Sequence, residues 1–361
     1  MQKDFHFYVT GILANHAGYS VNEAIAIATA SEYVDHATES FPIQFDDGRI
    51  IETTMTAHYH IRSFSPGVQK KVFMCFHFPP EGLINVNGKL AFSFKTKENS
   101  KIINALLKQI MADKTQGTYN HLVGNNGIPF HLYRLGVAIH TLADSWSHMS
   151  FTGRHNDEND VGKMWFKKGS KWKRQYVNDW KWDAAPAIGH AECGFYPDQP
   201  FRHMQYELYD IDGKKYKKLT RSNPAKFKNA AKRCLKWLND FKGNSGNRST
   251  AWHENSPAMK CIDLLIKMKE EDPKDRIDIL KKNNVFVSHF SNLFAGNNDY
   301  DSKRWRDAAI IPKELNDPWG EVNRREQLLA QPKPGFEKSG FRLFHKAAKL
   351  QRSFILDKLF W

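Results

Sequence analysis

The most regular pattern in the chain is an apolar run over residues 129–148 that three polar residues interrupt at every fourth position. Its apolar positions cover nearly every side of a helix, and Pro129 suits the first turn. They are Phe130, Leu132, Leu135, Val137, Ile139, Leu142 and Trp146. His140, Asp144 and His148 fall at i, i+4 and i+8, so a helix aligns them in one column. Because polar groups inside a buried helix are costly unless something pairs with them, the column predicts a set of metal ligands.

Helical patterns recur on both sides of this run. Residues 5–39 predict a helical hairpin whose second helix begins with a capping box from Ser20 to Glu23. Apolar periodicity predicts further helices over residues 100–114, 224–242, 257–270 and 340–359. Strand signals are shorter and centre on turns at residues 47–48, 87–88 and 212–213. We therefore expect a mainly α fold, in which a multi-helix core carries short β hairpins and a helical C-terminal extension.

A stretch dense in tryptophan, lysine and arginine lies at about residues 151–189 and has no clean periodicity. Tryptophan beside cations suits a membrane interface, and it suits single-stranded nucleic acid equally well. Ordinary packing of large aromatic rings beneath a solvated face is the third interpretation. We expect this insertion to belong to a metal-binding helical core over residues 1–203, with a hairpin and helical region over residues 204–361 packed on that core.

Composition and charge narrow the class of protein. The 361 residues are 41% hydrophobic, and no apolar run reaches the roughly 18 residues of a membrane span. The first residues lack the apolar core of an export signal, so we expect a cytoplasmic protein or one exported by a secretion system that needs no signal peptide. The four cysteines show no C-x-x-C spacing, which argues against a thiolate zinc knuckle or a disulfide framework. The net charge of +14 favours an anionic partner.

Four more polar residues stand in apolar surroundings that a structural role explains poorly. They are His6, Asp35, His77 and His190. A lone histidine in such a place is more often a hydrogen-bonded core residue. Several such residues in one chain favour metal ligands instead. Together with the column of the predicted helix, they provide enough nitrogen and oxygen ligands for two or three zinc ions. Asp144, with a histidine one turn away on each side, is the expected bridging carboxylate.

The order of these residues resembles the superfamily of zinc-dependent phospholipases C and single-strand-specific zinc nucleases. Its members share an early ligand histidine, an aspartate after the next helix, a histidine in an apolar run, a helical His-x-x-x-Asp followed by a histidine, and a later histidine paired with a carboxylate. The resemblance covers about residues 4–200. It assigns these roles, in order, to His6, Asp35, His77, His140 with Asp144, His148 and His190. It implies a site of two or three zinc ions that hydrolyses a phosphodiester.

The two ends of this pattern differ from the superfamily. Asp4 stands near the place of an N-terminal tryptophan that binds metal, and it is the expected substitute. No carboxylate stands four residues after His190, so Glu192 or Asp198 is expected to take that role. Short segments also resemble an uncharacterised bacterial domain family with no assigned activity, at residues 4–8, 188–194 and 196–200.

We therefore expect a metal-dependent hydrolase that acts on an anionic phosphodiester, with phospholipid favoured over nucleic acid. The resemblance implies that Asp35 orients or deprotonates the attacking water or ligates metal directly, beside the catalytic Asp144. Arg154 is either a clamp for the phosphate or a surface arginine. The alternative is a nonenzymatic basic module that binds nucleic acid or anionic membrane and has a structural histidine cluster. The last helix, residues 340–359, either lies peripherally on a membrane or closes the core.

Overall fold

The structure, a computed structural model, describes residues 1–58, 65–175, 187–312 and 328–359. Helices make up the larger part of it. Two helices join α- and π-helical turns: α1 has Asp4–Val9 (π) and Thr10–His16 (α), and α3 has Pro66–Val68 (α) and Gln69–His77 (π). Apart from short 3₁₀ turns, the other helices are α2 (Val21–Tyr33), α4 (Lys101–Thr115), α5 (Phe130–Ser147), α6 (Asn223–Lys242), α7 (Pro257–Lys267), α8 (Pro273–Lys282), α9 (Asn284–Phe290), α10 (Arg304–Ala309) and α11 (Gly340–Leu359).

The strands of the described residues form three sheets. They are β1 (Ile43–Phe45), β2 (Ile50–Ile51), β3 (Pro80–Val86), β4 (Lys89–Thr96), β5 (Val161–Lys168), β6 (Lys171–Gln175), β7 (His203–Asp210), β8 (Lys215–Ser222), β9 (Ile310–Pro312) and β10 (Leu328–Pro332). The first sheet has the order β2-β1-β10-β9, with β1 parallel to β10 and the other pairs antiparallel. The second is the β3–β4 hairpin, and the third is antiparallel with the order β6-β5-β7-β8.

The expected fold class, mainly α, is wrong. The protein is a mixed α/β structure, about 52% helical and 18% strand. The basic aromatic insertion supplies β5 and β6, which join the β7–β8 hairpin in one four-stranded sheet. Every residue of β6 is exposed, so this strand has no buried face to produce an apolar alternation in the sequence. β1 and β10 pair across most of the chain, which a local pattern does not reveal.

α5 is the central helix, and all of its residues are buried. It contacts α2, α4, α6 and α11, as well as the π-helical part of α3. Gly136 lets α2 approach closely, because a Cβ atom built on this glycine would lie 2.5 Å from the Ile27 carbonyl oxygen and 2.7 Å from the Ala30 Cβ. The buried helix expected from the sequence is confirmed, and His148 is the residue that ends it.

The predicted helical hairpin at the start of the chain is also confirmed. Ser20 and Glu23 form the capping box of α2, since each side chain accepts a hydrogen bond from the other residue's backbone N–H. Helices α4, α6, α7 and α11 lie where apolar periodicity predicts them, with α7 ending at Lys267. The Asp212-Gly213 signal corresponds to the turn between β7 and β8. The division of the chain at residue 203 into two regions stays a prediction.

Two π-helical segments carry site histidines, namely His6 within Asp4–Val9 and His77 at the end of Gln69–His77. A π-helix makes i→i+5 hydrogen bonds and therefore shifts which side chains share a face; such segments occur often at functional sites. Apolar periodicity based on 3.6 residues per turn does not indicate them. No described helix combines the length and the apolarity that a membrane span needs.

We expect Gly136→Ala to lower the free energy of unfolding by about 1–3 kcal/mol, because the added methyl group overpacks the contact between α5 and α2. Gly67→Ala is the matched control, since this glycine is exposed and a Cβ there would lie an ordinary 3.6 Å from Ser65 Oγ. Urea unfolding of both variants measures the difference. Equal stability of the two variants would contradict the close approach of the helices.

Candidate metal centre

The polar column of α5 meets His6 of α1 in the protein interior. His6 Nε2 lies 3.0 Å from one carboxylate oxygen of Asp144, and His140 Nε2 lies 3.1 Å from the other. The two imidazole rings stack with their centroids 3.8 Å apart. All three residues are fully buried, and their ligand atoms lie close enough together to hold one metal ion.

A second group shares His140 and adds Asp35 and His77. Asp35 Oδ1 lies 3.6 Å from His77 Nδ1 and 3.7 Å from His140 Nε2. The two ring nitrogens are 3.3 Å apart. Asp35 follows the end of α2, and His77 ends α3, so the close packing of α2 and α3 on α5 brings this group together.

The third group lies at the C-terminal end of α5. His148 Nε2 lies 3.2 Å from one oxygen of Asp198, and His190 Nε2 lies 3.2 Å from the other. His190 and Asp198 stand in consecutive short turns over residues 190–198. The carboxylate that the structure pairs with the last histidine is therefore Asp198.

The amino group of Met1 connects the first and third groups. It lies 2.5 Å from Asp144 Oδ1, 3.1 Å from Asp198 Oδ1 and 3.0 Å from Ser147 Oγ. Burial opposes the charged form of this amine, but the carboxylates of Asp144, Asp198 and Asp35 raise its pKa to about 11. One positive charge thus sits between two buried carboxylates.

Backbone carbonyls fix the orientation of three histidines in the cluster. The rings of His77, His148 and His190 each place one nitrogen 2.8 Å from a backbone oxygen, of Thr56, His77 and Gly194 respectively. A carbonyl only accepts hydrogen bonds, so the nitrogen beside it carries the proton. In the neutral ring the other nitrogen presents a lone pair, and in all three cases it faces a carboxylate oxygen. A contact at this distance is held either by a proton on that nitrogen or by a metal ion that binds both atoms.

The buried carboxylates stay ionised in this environment. Burial by itself would raise the pKa of Asp144, but the charges of His148, the Met1 amino group and His140 hold it well below its usual range. Burial opposes ionisation of Asp198 as well, and the Met1 amino group with His190 and His148 holds its pKa well below the usual range.

The histidines respond differently to the same environment. Burial lowers the pKa of His148, and burial together with the charge of His140 lowers the pKa of His6 to about 4. Burial also opposes the charged form of His77, but its hydrogen bond to Asp144 and the charge of Asp35 outweigh it and raise the pKa. Burial therefore disfavours a proton on His6 and His148, whereas the neighbouring carboxylates favour one on His77.

An open cleft of about 570 Å³ leads to the cluster. Its floor is formed by members of the second and third groups, and its apolar walls include Phe73, Phe78 and Ile188. Phe195 stands at the rim with 69% of its surface exposed, and Lys3 is a cation in the lining. Asp144 of the first group also lines the cleft, so the cleft connects the cluster with solvent.

Comparison with known proteins identifies a family without assigning an activity. The model of the DUF6765 family, a family of unknown function, matches residues 1–359. The chain belongs to this family. No curated protein and no solved structure matches it significantly.

Asp4, expected as a metal ligand of this DUF6765 protein, lies outside the three groups. Its carboxylate accepts a hydrogen bond of 2.7 Å from Arg276 Nε, and both side chains are buried. The Arg276 guanidinium also donates to the Gln2 side chain and to the backbone oxygens of Glu270 and Glu271. Asp4 is therefore held by a structural ion pair, through which α8 fixes the first turn of α1.

Glu192 and Arg154 also lie apart from the cluster. A carboxylate oxygen of Glu192 accepts a hydrogen bond of 2.6 Å from the Val161 backbone N–H at the start of β5. The Arg154 guanidinium lies 4.4 Å from the centre of the Phe94 ring, and among the described residues it does not line the cleft. Residues 176–186 of the predicted basic aromatic insertion lie outside the described residues.

The remaining site residues, His6, Asp35, His77, His140, Asp144, His148 and His190, do come together as the sequence predicts. The amino group of Met1 is not among the expected residues, because Asp4 is expected in the place of the superfamily's N-terminal tryptophan. Asp198 is an expected alternative to Glu192.

We expect Arg276→Met to lower the free energy of unfolding by about 3–5 kcal/mol, because it leaves the buried Asp4 carboxylate without its partner. The double variant Asp4→Asn/Arg276→Met is expected to recover part of this loss, since the amide is neutral. Lys281→Met serves as control, because Lys281 lies on the same helix as Arg276 and its ion pair with Asp299 is partly exposed. We expect this variant to lose less than about 1 kcal/mol. Strictly additive effects of the two site changes in urea unfolding would contradict the coupling.

Proposed function

We propose that the protein is a metal-dependent hydrolase of phosphodiesters, acting on phospholipid or nucleic acid, whose buried cluster of histidines and aspartates binds two or three zinc ions. The observation that carries the proposal is the pair His148 and His190. Backbone carbonyls fix both rings, and each ring aims its second nitrogen at an oxygen of Asp198. A divalent cation bound at these atoms would have two imidazole nitrogens and a carboxylate as ligands.

The donor atoms favour zinc over the harder cations. Zinc binds imidazole nitrogen together with carboxylate oxygen, whereas magnesium and calcium prefer sites made of oxygen alone. A hydrogen bond from the outer ring nitrogen to a backbone carbonyl is the usual support of a metal-bound histidine. His77, His148 and His190 each have one.

The side chains of Asp144 and Asp35 differ in solvent exposure, and this difference suggests different roles. The Asp144 side chain is 1% exposed and both of its oxygens face nitrogens, which suits a carboxylate that bridges two ions. The Asp35 side chain is 26% exposed and lines the cleft, so water and substrate reach it. We assign Asp35 the role of orienting and deprotonating the attacking water.

Bound metal ions would neutralise part of the charge of a phosphodiester and lower the pKa of a water molecule to about 7. Around them, the chain supplies the other functions. Lys3 in the cleft lining is a cation placed to contact a substrate phosphate, in the role expected of Arg154. Phe73, Phe78 and Phe195 offer apolar surface to the organic part of the substrate. The net charge of +14 favours the approach of an anion.

We expect Asp144→Asn to lose at least one metal ion per chain, because the amide keeps the shape of the side chain but not its charge. Elemental analysis of the purified protein measures the metal, and hydrolysis of bis(p-nitrophenyl) phosphate is expected to fall by at least about 10²-fold. His289→Ala, at an exposed histidine, is the control and is expected to change neither quantity.

A metal-free protein whose hydrolysis survives both His140→Ala and Asp144→Asn would contradict the proposal. Metal-free protein without hydrolysis, but with salt-dependent binding of polyanions that a chelator leaves unchanged, would instead support the alternative of a nonenzymatic basic module.

Asp35→Asn is expected to act on turnover more than on metal content. Removal of a general base lowers kcat by about 10²–10⁴-fold, while the other ligands retain the ions. Elemental analysis and steady-state kinetics on the same preparation separate the two effects. Loss of a metal ion from this variant would show that Asp35 is a ligand and not the base.

A further inference from the structure

The four-stranded sheet β6-β5-β7-β8 has one buried and one solvent-exposed face. Met164, Phe166, Met204 and Tyr206 alternate along β5 and β7 and form the buried face, which packs on Phe151 and Cys193. The positions between them point the other way. We call this side the outer face and define it by Lys163, Trp165, Lys167, Trp172, Tyr216 and Lys218.

Four aromatic side chains are spread across the outer face, one on each strand, and Tyr209 on β7 lies opposite Tyr216. Trp165 stands on the inner strand β5, Trp172 on the edge strand β6 and Tyr216 on the opposite edge strand β8. Trp172 is 36% exposed and Tyr216 is 45% exposed. Large rings exposed on a sheet are typical of a surface on which planar ligands stack.

Positive charge surrounds these rings. The outward positions of the four strands carry the cations Lys163, Lys167, Arg174 and Lys218 and the carboxylate Glu207. The Lys218 ammonium group lies 4.0 Å from the centre of the Trp165 ring, so cation and aromatic ring already form one unit. The face therefore offers both stacking surface and anion-binding groups.

The outer face continues into a basic groove at one end of the sheet. This groove has a volume of about 770 Å³, and Lys167 and His203 of the sheet belong to its lining. Lys269 adds a cation to the lining, and Arg202 and Lys267 add two more that lie beside the carboxylates of Glu271 and Asp263. An elongated track of cations fits a polymer with repeated phosphates better than a single lipid headgroup.

We propose that the outer face and this groove bind single-stranded nucleic acid. Bases stack on Trp172 and Tyr216, and the backbone phosphates contact Lys167, Lys218 and the lysines of the groove. A membrane fits the face less well, because polar side chains, Gln205 and Glu207 among them, separate the rings and leave no contiguous apolar wedge for insertion. The proposal concerns binding, so it stands apart from the proposed hydrolysis and is tested without metal.

The test measures fluorescence anisotropy of a labelled oligothymidylate of about 20 nucleotides with the full chain in excess chelator. We expect saturable binding whose affinity falls at least about tenfold between about 50 and 200 mM salt. Trp172→Ala/Tyr216→Ala is expected to weaken binding at least about tenfold through lost stacking. Lys167→Ala/Lys218→Ala is expected to reduce the slope of log affinity against log salt by about 1.4.

The control variant is Trp252→Ala/Lys232→Ala, which removes another tryptophan and lysine in contact, 5.2 Å apart, on the side of α6. It is expected to bind like the unchanged protein, with circular dichroism confirming that all variants are folded. Absence of saturable binding, or equal weakening by the control, would overturn the proposal. So would binding to phosphatidylserine/phosphatidylcholine vesicles, but not to the oligonucleotide, that is lost in the outer-face variants.

Discussion

The structure is organised around one buried charge, the carboxylate of Asp144. It is 1% exposed, and burying an ionised carboxylate without partners is among the costliest changes a fold can make. Its oxygens lie within 3.3 Å of His6, His77, His140 and the Met1 amino group. These partners come from the beginning of the chain, from α3 and from α5, so the compensation of one charge requires distant segments to meet. The contacts that hold these segments together in the fold therefore also assemble the candidate site.

Close packing around α5 brings the distant segments of the site together. Gly136 allows the backbone of α2 to approach α5, which brings Asp35 at the end of α2 to the second group of ligands. The ion pair of Arg276 with Asp4 holds the first turn of α1, and with it His6, from the other side. Both contacts are buried and have little freedom to adjust. Positions far from the ligands along the chain thus fix the geometry of the ligands themselves.

The sequence predicts those parts of the site that depend on local geometry or on unusual surroundings. The column of His140, Asp144 and His148 follows from the pitch of one helix, and His77 is conspicuous in its apolar run. Asp4 is misleading because only the tertiary fold reveals Arg276 as its partner. The strands of the basic insertion escape notice for a related reason. A bulge between Val161 and Met164 interrupts the alternation along β5, and every residue of β6 is exposed, so neither strand produces a clean periodic signal.

The choice between protons and metal ions as the cations of the cluster follows from the histidines. Protons are the simplest way to place positive charge between imidazole and carboxylate, and His77 is able to hold one because its pKa is raised. His148 and His6 are not suited to this, because burial lowers the pKa of both, to about 4 for His6. Burial thus disfavours protons on these two rings, while the pKa values of Asp144 and Asp198 stay below their usual range. A divalent cation needs deprotonated imidazoles and ionised carboxylates, so the metal ions that we propose would supply the positive charge that burial disfavours on His6 and His148.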